Sequence, residues 1–138
     1  MRRQLPLGVW AVVFAAAPGL LASACASPGT YASAWVTVTV DFSPSRLPPE
    51  DVFLQVMLEE RSESGQSRTV GRATERITGR VPPVEVRVLY DPGQIDQTAR
   101  YEVKAWIEQR GRTLIPESRG EPVLTMGGGN TAVIRLRY

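Results

Sequence analysis

The chain has 138 residues, of which 16 are basic and 14 acidic, with one cysteine and no histidine. That length suits one domain with a single core, and the lack of histidine excludes Ser-His-Asp and Cys-His catalysis along with most zinc sites. Setting aside Arg2 and Arg3, which belong to the N-terminal segment described next, 14 basic residues balance 14 acidic ones, so no long-range positive field remains to gather nucleic acid.

Arg2 and Arg3 precede an apolar run from Leu7 to Leu21, and small residues lead into the lone cysteine in Leu20-Leu21-Ala22-Ser23-Ala24-Cys25. This is the layout of a cleaved export signal over residues 1–24. A cysteine that comes first after a signal is what bacterial lipoprotein processing requires, because its thiol can be thioether-linked to a diacylglycerol before cleavage. Cys25 is the candidate lipidation site and membrane anchor. Ala22-Ser23-Ala24 also satisfies an ordinary signal peptidase, in which case Cys25 is a free thiol at a soluble N-terminus. A lone transmembrane helix is disfavoured, since Pro6 and Pro18 punctuate the run and a span needs about 20 apolar residues. Arg2-Arg3-Gln4-Leu5 leaves twin-arginine export open beside the general route. Ala26 in place of aspartate after the cysteine implies release to the outer membrane of a Gram-negative envelope. Residues 25–34 read as a tether, and the nine after Cys25 reach at most about 30 Å. A domain over residues 35–138 then works close to the membrane surface.

That domain is expected to be all-β, an antiparallel sandwich of about seven strands. Trp35 to Phe42 alternates strictly, with Val36, Val38, Val40 and Phe42 on one face and Trp35, Thr37, Thr39 and Asp41 on the other. Val52, Leu54, Val56 and Leu58 repeat the pattern. A polar stretch from Ser67 to Thr78 contains Val70 and Ile77 and reads as a weaker strand. Val84, Val86, Val88 and Tyr90 make the next inward face, and Tyr101, Val103, Ala105 and Ile107 another. Arg110-Gly111 predicts a tight turn that folds Arg112–Ile115 back on the preceding strand. Ala132, Ile134, Leu136 and Tyr138 close the chain as a last inward face. Pro48-Pro49, Pro82-Pro83, Asp91-Pro92-Gly93 and Gly127-Gly128-Gly129-Asn130 mark turns.

Catalytic chemistry is hard to find in these residues. The triple glycine lacks the Gly-Lys-Ser/Thr ending of a phosphate loop and precedes a strand instead of a helix. Glu59, Glu60 and Glu63 read as a solvated charge run in a polar loop, with nothing apolar beside them to shift a pKa. Asp91 and Asp96 suit turn capping, and calcium would want more oxygen ligands than their segment offers. No enzyme activity, metal or cofactor is expected. A carboxylate-dependent hydrolase would need Glu59, Glu63 and Glu75 to meet in one cleft.

Four segments in register carry a resemblance. Leu47-Pro48-Pro49-Glu50-Asp51-Val52, Tyr90-Asp91-Pro92 with Ile95-Asp96, Tyr101-Glu102-Val103-Lys104-Ala105-Trp106-Ile107 with Gly111, and Pro122-Val123-Leu124-Thr125-Met126-Gly127 resemble the YbaY/YscW family of bacterial lipoproteins in order and spacing. The resemblance covers nearly all of the domain. In place of the acidic Asp-x-Ser-x-Ala-Asp stretch common after the second strand in YbaY-like members stands Glu59-Glu60-Arg61-Ser62-Glu63-Ser64, and the first strand lacks the usual glycine. Membership implies an outer-membrane lipoprotein that faces the periplasm, a β-sandwich and no enzymatic activity. The YscW-like branch consists of pilotins, which bind the outer-membrane secretin subunit of type III secretion systems and help it localise and assemble. A structural or stress-related envelope lipoprotein without a dedicated partner is the other reading.

Such a pilotin needs a surface that captures part of another chain, by groove binding or strand addition. The outward faces of the expected strands carry Trp35, Phe53, Met57, Leu89 and Trp106, a set that forms a partner-binding patch if its members adjoin.

Overall fold

Val36, Val38 and Val40 are fully buried while Thr37 and Thr39 between them are partly exposed and Trp35 before them is open to solvent, so the first strand sits half in a core as its alternation requires. The computed structural model describes residues 33–138; the signal segment 1–24, Cys25 and nearly all of the tether lie outside the described residues. Ala34 already belongs to the first strand, one residue earlier than expected.

Eight strands follow in order: β1 Ala34–Asp41, β2 Val52–Arg61, β3 Ser67–Arg76, β4 Val84–Tyr90, β5 Arg100–Gln109, β6 Arg112–Ile115, β7 Glu121–Val123 and β8 Thr131–Arg135. They form two sheets. A small one has the order β4-β1-β8, and a large one has the order β3-β2-β5-β6 with β7 also paired to β5. The inward rows of both sheets interlock as one core that includes Leu54, Leu58, Val88, Tyr101, Ile107 and Ile134. The β5–β6 hairpin turns at Arg110 and Gly111, both at positive φ (48° and 76°), as a two-residue turn matched to the strand twist demands.

The all-β sandwich is as expected, and three details of it differ. Among the described residues the strands number eight, close to the expected seven, because Glu121–Val123, too short to show alternation, pairs with Tyr101–Val103 of β5. The sandwich is not wholly antiparallel: β8 runs parallel to β1, with Thr37 beside Thr131 and Asp41 beside Arg135. The chain leaves β7 in the large sheet, crosses to the small one through Leu124–Asn130 and enters it in the direction of β1. A crossover permits parallel pairing, which a hairpin forbids. Finally, Tyr138 lies beyond the end of β8 and is 51% exposed, with the Arg46 guanidinium 5.1 Å from its ring centre.

The two sheets meet differently along their two sides. On one side β3 packs against β4 so closely that a Cβ at Gly71 would fall on the Leu89 carbonyl oxygen. On the other side β8 ends the small sheet, and between it and residues 116–121 runs a groove of about 730 Å³.

Candidate functional site

Two outward faces and one sheet edge carry chemistry. On the large sheet the register places Gln55 beside Thr74 and Trp106, and Met57 beside Arg72 and Lys104. Thr74 Oγ1 donates to Gln55 Oε1 (2.6 Å), Gln55 Nε2 donates to Glu108 Oε1 (2.7 Å), and the Trp106 indole N–H donates to Glu108 Oε2 (3.3 Å). The Arg72 guanidinium lies 5.8 Å from the Trp106 ring centre and also reaches Met57 Sδ at 3.4 Å. Long side chains thereby roof the middle of this face, and Gln55, Met57 and Glu59 are buried beneath them. Met57 points outward yet is closed off from solvent.

Next along the same face, Lys104 Nζ stands 3.0 Å from Glu59 Oε2 and 3.4 Å from Glu117 Oε2. Burial on its own would lower the Lys104 pKa, but the approach of Glu59 and the charge of Glu117 outweigh it and leave the ammonium above its usual range. Glu59 is therefore no solvated loop residue. β2 runs three residues past Leu58 and carries Glu59 into the sheet.

Glu60 points the other way, to the end of the core. Its Oε2 accepts from Arg68 Nη2 (2.6 Å) and from the Tyr101 hydroxyl (2.9 Å), and that hydroxyl in turn accepts the Asp96 backbone N–H (2.9 Å). These bonds, that of Arg68 foremost, hold the Glu60 carboxyl below its usual range. Asp91 and Asp96 cap their turns as expected, Asp91 accepting from the Gly93 N–H and Asp96 from the Thr98 N–H. Glu75 pairs with Arg80 and stands opposite Leu54, whereas Glu59 stands opposite Thr69 further along β3, so Glu59 and Glu75 do not meet in one cleft.

The small sheet offers a more open surface. Trp35 and Leu89 are direct neighbours across β1 and β4, 47% and 58% exposed, with the Arg87 guanidinium 5.6 Å from the indole centre. Val133 on β8, beside Thr39, adds a third exposed apolar side chain. The five aromatic and aliphatic residues singled out from the sequence are thus divided between the sheets: Trp35 and Leu89 adjoin on the small one, while partly buried Phe53 and Trp106 and buried Met57 belong to the large one.

The groove beside β8 was not foreseen. One wall is Pro116–Arg119 with Glu121, where Ser118 takes the place of a strand residue on β5: its N–H donates to the Ala105 carbonyl (2.8 Å), and its Oγ accepts the Ala105 N–H (3.0 Å). The other wall is β8 and the residues after it, Val133 to Arg137. The alternation of Arg135 and Arg137 is visible in the sequence, but that β8, which ends at Arg135, is the last strand of its sheet is not.

A family model described as type III secretion system lipoprotein chaperone (YscW) matches residues 32–136, the whole sandwich. Among solved structures the chain is similar to an alternative pilotin from the type II secretion system of Vibrio cholerae, with a TM-score of 0.67 and 19% identity over 76% of this chain and 96% of that one. At that identity the likeness is one of fold. No curated protein shows a significant match.

Proposed function

The chain belongs to the YscW family of type III secretion system lipoprotein chaperones, and on that premise we propose that it is a non-enzymatic assembly module held by a lipid on Cys25 to the periplasmic side of the outer membrane. Its partner in this reading is an outer-membrane secretin subunit. The observation that carries it is the family match across every strand of the sandwich. The surface supports it too: Trp35 and Leu89 form an open apolar pair at the start of β1, directly after the tether, where a captured chain would lie beside the membrane. Apolar pairs of this kind, rimmed by an arginine, suit protein recognition.

Crosslinking in intact envelopes, with identification of what is captured, tests the partner. A secretin subunit is the expected product, and an envelope-sensitive deletion strain with intact secretion and no crosslinked secretin would overturn the proposal. The anchor is tested separately. Labelled fatty acid should enter the native chain and not Cys25→Ser, which should be unprocessed or released from the membrane; failure of the native chain to take up label would refute lipidation at Cys25.

A further inference from the structure

The outer edge of β8 has the chemistry to receive another strand. Thr37 N–H donates to the Asn130 carbonyl (2.9 Å) and Leu136 N–H donates to the Asp41 carbonyl (2.8 Å), so the even-numbered residues that flank β8 on both sides turn these backbone groups to β1. Strand alternation then turns the N–H and C=O of Val133 and Arg135 away from β1, into the groove. β8 pairs with β1 alone among the described residues. An unpaired strand edge is a template for pairing with another chain.

Charge selects the kind of chain. Arg119, Arg135 and Arg137 line the groove, and none of them makes an ion pair with the described residues, not even Arg135 with Asp41 beside it in register. Of the two carboxylates on the same walls, Glu117 is held by Lys104. The contrast with the edge strand of the large sheet is direct. On β3, Arg68 is paired to Glu60, Arg76 to Asp51, and Arg72 lies over Trp106. Arginines that only blunt an edge need no groove beside them, whereas these three face one of about 730 Å³ whose floor includes apolar Ile134 and Leu136. A second copy of β8 is a poor occupant, because it would set Arg135 and Arg137 against their own kind.

We propose that the β8 edge and its groove bind an extended acidic segment of another polypeptide as an added strand, with backbone bonds to Val133 and Arg135 and carboxylates against Arg119, Arg135 and Arg137. This rests on the reading that the chain captures part of a partner protein, and it adds to the Trp35–Leu89 face a second contact of stated chemistry at the β8 edge of the same sheet. Strand addition draws affinity from main-chain bonds and specificity from alternate side chains, and charge-assisted bonds from arginine to carboxylate add to both.

The probe is a capped nonapeptide of alternating valine and glutamate, added to the processed chain purified from cells in nonionic detergent. Binding is read by fluorescence anisotropy and by amide hydrogen exchange. Saturable binding that weakens as salt rises, with slowed exchange at Val133 and Arg135, supports the proposal. So does a loss of at least about tenfold in affinity, about 1.4 kcal/mol, when Arg135→Glu and Arg137→Glu are combined. The proposal is overturned if the peptide does not bind, if a valine-lysine peptide binds as well, if N-methylation along the bonding edge of the peptide changes nothing, or if protection appears elsewhere. These peptide comparisons use the native chain and do not depend on how the arginine variants fold. Secretin crosslinking that persists while the peptide fails would remove this site and leave the wider function standing; loss of crosslinking with peptide binding intact would do the reverse.

Discussion

Lys104 Nζ lies 3.0 Å from Glu59 Oε2 on the outward face of the large sheet, where the two side chains keep only 14% and 8% of their exposure. A carboxylate in that position has one compensating charge close by, and Glu59 Oε2 has no aligned hydrogen bond of its own. Removing the lysine leaves an uncompensated buried charge, whereas replacing both partners with apolar groups of similar size removes the need for compensation. Lys104→Met should lower stability by about 3 kcal/mol, and adding Glu59→Leu should restore most of it. Urea unfolding of the two single variants and the double variant measures this; a loss in the double variant equal to the sum of the two single losses would show that the pair is not coupled.

Gly71 is where the two sheets close. Its missing Cβ leaves room for the Leu89 carbonyl and a Val88 methyl group, both belonging to backbone or packed core that has little freedom to yield. Gly71→Ala should destabilise the fold by about 1 to 3 kcal/mol through overpacking. The thermal midpoint checks it, and an unchanged midpoint would mean that β3 and β4 separate at little cost.

Acid should loosen the end of the sandwich at Glu60. The carboxyl pKa is lowered in the fold, by the Arg68 hydrogen bond first and that of Tyr101 next, so the unfolded chain takes up the proton earlier as pH falls. The stabilisation is complete above the ordinary glutamate value of about 4.3 and is lost as pH drops through the folded value. Asp96, lowered by its bonds from Thr98, acts in the same direction. Glu60→Gln should therefore flatten, without abolishing, the fall in thermal midpoint below about pH 4.3. A variant as acid-sensitive as the native chain would count against the Glu60 contribution.

Tryptophans on the two outward faces should respond differently to truncation. Trp35 is open to solvent apart from Leu89 and Arg87, so Trp35→Ala should change stability by no more than about 0.5 kcal/mol. Trp106 is partly buried beneath Arg72 and bonded to Glu108, and its truncation should cost about 2 kcal/mol, below the full-burial range because part of the ring is already wet. Denaturant midpoints separate the two. If the small sheet forms the capture surface, Trp35→Ala with Leu89→Ala should also lower secretin crosslinking in intact envelopes at unchanged stability. A large stability loss for Trp35→Ala would assign that residue to packing alone.

Much of the strand layout was legible from alternation. Val36, Val38 and Val40, Val52 to Leu58, Val84 to Val88, and Tyr101 to Ile107 all show inward rows that are buried as read, because a pleat sends neighbouring side chains to opposite faces whatever the strand pairs with. The same rule gave no sign that outward Met57 is covered, and Glu59, read as part of a polar loop, lies buried in β2. Alternation decides which face a side chain takes, while its exposure also depends on the neighbouring strands, here Arg72 and Thr69 on β3 and Lys104 and Trp106 on β5. Tyr138 failed for a related reason, since an alternating pattern continues in the sequence after β8 has ended at Arg135.

The amino-acid sequence by itself determined the all-β class, the main core rows, the turn at Arg110-Gly111 and the family, because each depends on local spacing or on motifs in order along the chain. Only the tertiary structure decided that β8 runs parallel to β1, that Trp35 and Leu89 meet while Trp106 lies on the other sheet, and that Arg119, Arg135 and Arg137 share a groove. Those relations join residues far apart in the chain, and they follow from which strand edges pair when the two sheets close on one side and stay apart on the other. Alternation carries no record of that choice: a strand with both edges paired and a strand with one edge free can have the same period of two.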